Sequence, residues 1–573
     1  MLEQNEQERA RLMESFAIQD EEDQDEARDR SGHHTENASL HSIGMDWKSL
    51  PRVIAAHGLQ LLSRAALRIT QIPARVKELG YSETLRVVFD YPAPEMKLRD
   101  TAWLDGLRGI AAFQVFIFHY IDGWIDRTLA WGNGKYQRPE WYYAPLIRSI
   151  YGSGDAAVCI FFGISGYVLT HKMLSLMRQQ RYDDLFTTVS SAVFRRGVRL
   201  YMPVFIETLL LMLACRVLGM PWPVLYEPQK TFFLEVDNWA RSFGHLLMPL
   251  RYPDRWDAII NKYDGGISWT IPLEYYGSLY VYFSVVFLAR VPSIFLRRCL
   301  IFIMVFHSFC KDDWIAAQFL MGMAFADYQI QRESNPPKPN ARHPWLRPLT
   351  IWVILLFGFF FSGMPGARAR NEYEGDYRIF SRPYYDIVMQ PIAYLGLYVN
   401  RQMDRYMQCL AGMCILIGIG ETPVLKRALE IRPIQYLGRI SFGLYLCHIF
   451  VRAWMRPLFG AKVWIAVVGL DPNISYDRRP TSENFQLFIA YLLTMIPATI
   501  VNFVVGGLFR KYLDQPSVDA GKKFEHFCLS YRKHEGAKPI LNGDRRGAGT
   551  PVQMQDMDVT NSSSNRAPPQ LPN

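Results

Sequence analysis

His119 carries the clearest chemical meaning in this chain, because it is an imidazole set in an apolar run. The run, from Trp103 to Tyr120, reads W-L-D-G-L-R-G-I-A-A-F-Q-V-F-I-F-H-Y. Arg108 lies eleven positions before His119. At 100° and 1.5 Å per residue the two share one helix face, about 16 Å apart along the axis. Asp105, Arg108, Ala112, Val115 and His119 form a single stripe at helical spacing. Facing lipid, such groups would cost several kcal/mol, so the stripe must face protein or a water-filled cavity. An imidazole there has two readings: a general base taking a proton from a hydroxyl, or a side chain that only bonds a neighbouring helix. Residues alone leave both open.

Two further polar groups accompany it. Arg195, Arg196 and Arg199 crowd the start of another apolar run, with Arg196 and Arg199 one turn apart. Guanidinium groups so placed suit the phosphates of a nucleotide-like cosubstrate. They equally serve as positive-inside anchors, and composition alone favours that simpler role. Glu274 stands just inside a third apolar segment, expected at the end opposite the arginines. The chain lacks a P-loop, a dinucleotide-type glycine pattern and a nucleophile elbow. Ser165, between Gly163 and Gly166, lies within a span and reads as part of a packing motif. No Cys/His cluster has metal-ligand spacing, and the eight scattered cysteines read as free thiols.

The elements that must position these residues are membrane helices. Half of the 573 residues are hydrophobic, and apolar runs near 18 residues recur about ten times between polar ends. The expected fold is all-α, a polytopic transmembrane bundle of about ten spans with disordered polar termini. Residues 1–45 form an acidic tail without the apolar core of a signal peptide. Residues 46–99 are amphipathic and basic, suited to the membrane surface. The bundle occupies 100–515, and 516–573 is expected to be a disordered tail. Spans are placed near 104–124, 155–173, 194–218, 268–288, 293–309, 313–330, 349–364, 406–420, 436–451 and 485–510, with 384–399 either re-entrant or a further full span. The net charge of +9 comes from Lys and Arg at span ends, which places both termini in the cytoplasm and argues against nucleic-acid binding. The Asn473-Ile474-Ser475 sequon then falls in the last luminal loop. Polytopic insertion implies endomembrane or plasma membrane.

The motifs also carry a resemblance. W-L-D-G-L-R-G-I-A-A-F-Q-V-F-I-F-H resembles the opening signature of the acyltransferase-3 family of integral membrane acyltransferases, an Arg, ten residues and a His. F-F-G-I-S-G-Y-V-L at 161–169, F-R-R-G-V-R-L-Y-M-P at 194–203, S-W-T-I-P-L-E-Y-Y at 268–276 and L-G-R-I-S-F-G-L-Y-L-C-H at 437–448 continue it in order. The resemblance implies transfer of an acyl group, usually acetyl, from acyl-CoA to an acceptor hydroxyl, with no permanently bound cofactor. It makes His119 the catalytic base, Arg108 its charge partner or a donor-binding residue, and Arg196 and Arg199 the donor-binding pair. It gives Glu274 a role on the acceptor side or in a proton path, and leaves Ser441 and His448 either functional or structural. The sequence departs from the family at Thr270, usually Ser, and at Pro272, which bends the helix start. The acidic tail and aromatic luminal region resemble those of fungal members, with a lipid, sugar or secondary metabolite as acceptor. From other classes, a proton-coupled transporter would also use intramembrane His, Arg and Glu. No internal repeat supports it, and an inert scaffold would have little use for a buried polar stripe.

Overall fold

Short polar residues start several helices and one left-handed glycine ends the longest. Thr231, Ser293 and Asp313 each accept a hydrogen bond from a first-turn amide, those of Leu234, Leu296 and Ala316. Gly219, at φ +67°, closes the helix Tyr182–Leu218. In the computed structural model the described residues are 98–121, 141–220, 228–247, 260–335, 345–365, 403–455 and 484–531, with positions 91, 385 and 467. The expected tail 1–45, most of 46–99, the sequon and the 384–399 segment (apart from Tyr385) lie outside them.

Among the described residues every element is helical. In order they are α1 (Ala102–Tyr120), α2 (Pro145–Tyr151), α3 (Gly154–Arg178), α4 (Tyr182–Leu218), α5 (Phe232–Leu246), α6 (Thr270–Leu288) and α7 (Ile294–Cys310). Then come α8 (Trp314–Ser334), α9 (Leu346–Ser362), α10 (Met403–Gly420), α11 (Pro423–Leu429), α12 (Arg432–Met455), α13 (Asn484–Phe509) and α14 (Gln515–Tyr531). A single π turn, Arg510–Asp514, joins α13 to α14. The chain divides into two compact units, Met1–Glu525 and His526–Asn573, and the contacts described here belong to the first.

A long helix occupies each of the ten expected segments, yet among the described residues length and apolarity single out five as crossings, with the bent pair Arg405–Gly420 and Pro423–Leu429 as a sixth. The expectation of about ten is met to that extent only. The shortfall has physical causes. α1 carries Asp105, Arg108 and His119, α8 is rich in polar residues in its second half, and α7 and α9 stop at 17 residues each. The outer surface is apolar: Phe283, Phe295 and Phe302 are each about 70% or more exposed, alongside Trp352, Val353 and Leu356. Soluble proteins rarely present so much contiguous apolar surface, and a multi-pass membrane protein requires it.

Side-chain pairs fix the helix directions. Gln318 donates to the Cys159 carbonyl at 2.8 Å and Arg178 pairs with Asp327 at 2.8 Å, so α3 and α8 run parallel. Cys159 lies 3.5 Å from Cys409 and Gly163 abuts Met413, which makes α10 parallel to α3. All eight cysteines are free thiols. Tyr120 bonds the Thr494 carbonyl while Phe113 meets Phe503, so α13 runs antiparallel to α1. Arg196 reaches Ser278 and Tyr201 meets Tyr275, setting α4 antiparallel to α6.

One expectation is corrected outright. Residues 516–531 form the helix α14 rather than a structureless tail; residues 532–573 lie outside the described set. Polar composition misled here because the helix is amphipathic, with Val518 and Gly521 turned inward.

Candidate active site

The site begins with two glycines. A Cβ on Gly109 would fall 2.2 Å from the backbone nitrogen of Gly438, and one on Gly438 would fall 2.2 Å from the Asp105 carbonyl oxygen. The backbones of α1 and α12 therefore touch, which only glycine permits. That contact brings Arg108 onto α12, where its Nε donates to Ser441 Oγ at 2.9 Å and its Nη2 to the Gly438 carbonyl at 3.2 Å. Asp105 completes the set with an ion pair to Arg108 at 3.3 Å.

Because α1 and α12 run parallel, the same pairing brings His119 against His448 three turns further on. Their ring centroids are 5.1 Å apart, tilted by 36°. His448 is fully buried, with Nδ1 2.5 Å from the Tyr445 carbonyl and Nε2 without a partner among the described residues. His119 is half-buried on the last turn of α1.

A second polar set lies on α3, α4 and α6. Glu274 forms an ion pair with Arg196 and accepts a 2.5 Å hydrogen bond from Ser165 Oγ. Arg196 Nε donates to Ser278 Oγ at 3.0 Å. The structure thus places Glu274 directly on the arginine cluster, not at the opposite end of the membrane from it. The reason is the length of α4: it starts at Tyr182, about 20 Å before Arg196, which carries the arginines deep into the bundle.

One turn before Glu274, Thr270 Oγ1 donates to the Tyr445 hydroxyl at 3.0 Å, and Tyr445 donates to the Ile267 carbonyl at 3.2 Å. Tyr445 in turn meets His448, at 5.9 Å between ring centroids. Arg196, Glu274, Thr270, Tyr445, His448 and His119 therefore form one polar line through an apolar core. Thr270 supplies the hydroxyl that the family's Ser would supply. Pro272 sits in the first turn of α6, where its missing N–H has no intrahelical partner to lose, so Glu274 keeps regular helical geometry. The start of α6 is held by Asp264, which accepts from the amides of Gly266 at 2.8 Å and Ser268 at 3.2 Å. Burial pushes its carboxyl up to about 6 against the opposing pull of those donors.

Beside Arg196 opens a cavity of about 230 Å³, with Arg195, Arg199, Tyr282 and Lys522 also in its wall. Arg199 makes no hydrogen bond or ion pair among the described residues and keeps an accessible surface facing that space.

The family description "Acyltransferase domain" matches residues 101–512, which contain every residue of this site except Lys522. The chain belongs to the acyltransferase-3 family. The enzyme is 26% identical to the O-acetyltransferase PaAT-1 of Phomopsis amygdali over 84% of this chain and 95% of that protein. It is 22% identical to the acyltransferase R4 of a Phoma species and 20% identical to the acyltransferase clz18 of Cochliobolus lunatus, each over 73% of this chain and 94% of the relative. These relatives are fungal. No solved structure matches the chain. It is a membrane O-acyltransferase.

Of the sequence-predicted residues, Arg196 and Arg199 line the cavity and Glu274 pairs with Arg196, while Arg108 and His119 lie on α1 with Ser441 and His448 as their α12 partners. Sequence reasoning missed Ser165, Ser278, Thr270, Tyr445 and Lys522 as site residues. Ser165 was masked by its glycines, which do pack closely: Gly166 abuts the Phe319 backbone and Gly322 abuts that of Gly163. For Tyr445 a signal existed in its place one turn before His448.

Proposed function

We propose that the enzyme transfers an acetyl group from acetyl-CoA to a hydroxyl of a small-molecule or lipid acceptor, with His119 as general base. The observation that carries this reading is the polar line from the arginine-walled cavity to the His119–His448 pair. The nucleotide end of the donor binds at Arg196 and Arg199, and the pantetheine arm runs along the line toward the histidines. Arg108 adds positive charge to the same corridor, within electrostatic reach of Arg199. The acceptor oxygen attacks the thioester carbonyl while His119 takes its proton. The C–S bond then breaks and the sulfur leaves with the proton returned from His119. His448, locked by the Tyr445 carbonyl, fixes the ring against which His119 works. Acetyl as the transferred group is taken from the likeness to PaAT-1, an O-acetyltransferase.

The helix directions support a ten-crossing topology with both termini cytoplasmic. Numbering the long helices in order, α3, α8 and α10 are second, sixth and eighth and run parallel, while the first and tenth run antiparallel, as strict alternation requires. The cavity then opens toward the cytoplasm and the histidines lie toward the lumen.

The test is acceptor-dependent release of CoA thiol from acetyl-CoA by the full chain in nanodiscs. His119→Ala should lower kcat by at least a hundredfold with an unchanged thermal transition. Retained turnover in that variant overturns the mechanism. Absence of thiol release from the wild type across a broad hydroxyl panel would favour transport instead.

A further inference from the structure

The cavity beside Arg196 has one wall outside the family's extent. α14 follows the last apolar segment and docks against α4: a Cβ built on Gly521 would lie 3.3 Å from the Arg195 carbonyl oxygen, Phe524 meets Phe194, and Glu525 pairs with Arg195 at 3.4 Å. This docking turns Lys522 into the cavity wall opposite Arg196 and Arg199.

The four cations differ in how far they are already neutralised. Arg196 is taken up by Glu274 and Ser278, and Arg195 by Glu525 and the Ser191 carbonyl. Arg199 has no hydrogen bond or ion pair among the described residues, and Asp514 and Glu274 act on it only at longer electrostatic range. Lys522 has only Asp519 on its own helix at 3.5 Å, with both side chains more than half exposed, a pair that solvent screens. Two weakly compensated cations from two separate elements thus share one cavity with a buried ion pair. A single carboxylate would leave charge unmatched there; a ligand carrying several phosphates would not.

We propose that Lys522 is a phosphate-binding residue of the donor site, and that with Arg195, Arg196 and Arg199 it recognises the nucleotide end of CoA. The inference rests on the donor reading above and extends it to a helix beyond the matched domain. Affinity for the donor then depends on the phosphates, while the thioester end is handled elsewhere.

The test is equilibrium binding of CoA and of pantetheine to the full chain in nanodiscs, for wild type, Lys522→Ala, Lys522→Arg and Lys523→Ala. Lys523 is an exposed neighbour outside the cavity wall. CoA affinity should fall about tenfold in Lys522→Ala and recover to within about threefold in Lys522→Arg. Lys523→Ala and all pantetheine affinities should stay at wild-type values. Wild-type CoA binding that is indifferent to Lys522→Ala, or equally weakened by Lys523→Ala, overturns the inference and leaves the donor reading standing. A wild type that does not bind CoA removes both.

Discussion

Arg196 and Glu274 are only 11% and 14% exposed, so their ion pair is almost wholly withdrawn from water. Such a pair gains little over apolar packing, but losing one member strands the other charge. Glu274→Ala should therefore destabilise the enzyme by about 3–5 kcal/mol, and adding Arg196→Met should restore most of the loss. Thermal unfolding of both variants in detergent checks this; a single variant as stable as wild type would show that the carboxylate is not the arginine's counter-ion. At this scale the sequence was informative about identity and poor about partnership. His119, Arg108, Arg196, Arg199 and Glu274 stand out because charged or titratable side chains in apolar runs are costly. Nothing in one dimension shows that Glu274 meets Arg196, since that depends on how deeply α4 enters the bundle. Ser165, Thr270 and Tyr445 are ordinary in apolar helices and become visible only when three helices bring them together.

At the scale of elements, the α1–α12 contact decides the geometry of both histidines. Gly109→Ala would insert a methyl where the Gly438 backbone stands, forcing the helices apart along their common length. Turnover should drop more than tenfold while the protein still inserts and purifies. Gly244, on α5, has no neighbour within 4 Å of a built Cβ. Gly244→Ala should leave turnover unchanged and raise stability by up to about 1 kcal/mol through helix propensity. Measuring kcat and the thermal transition for the pair separates a steric requirement from a general glycine effect. Every long helix was legible as an apolar run, and Gly163 and Gly166 were legible as packing residues. α14 was not, because its polar composition hides an inward face too narrow to register as hydrophobic.

For the whole molecule, topology follows from direction. If ten helices alternate from a cytoplasmic start, Asn473 falls on the luminal side and should carry a glycan when the chain is expressed in a eukaryotic membrane. A mobility shift removed by endoglycosidase and by Asn473→Gln is the expected outcome; an unglycosylated chain with a cytoplasmic 470s loop would break the alternation. Charge asymmetry gives this orientation as an expectation from sequence, and the paired side chains give the relative directions of the helices. α1 is legible as an apolar run, yet it is not among the five strongest crossings, because Asp105, Arg108 and His119 dilute its apolarity.

The π turn at Arg510–Asp514 has a bearing on how this chain tolerates change. A π turn holds one residue more than an α turn, so everything after it is rotated by about 100° relative to an unbroken helix. Lys522 faces the cavity by virtue of that angular offset, and Gly521 meets Arg195 for the same reason. The segment works as an indexing tooth through its residue count. A single insertion or deletion would swing the cation out of phase with the arginines it faces.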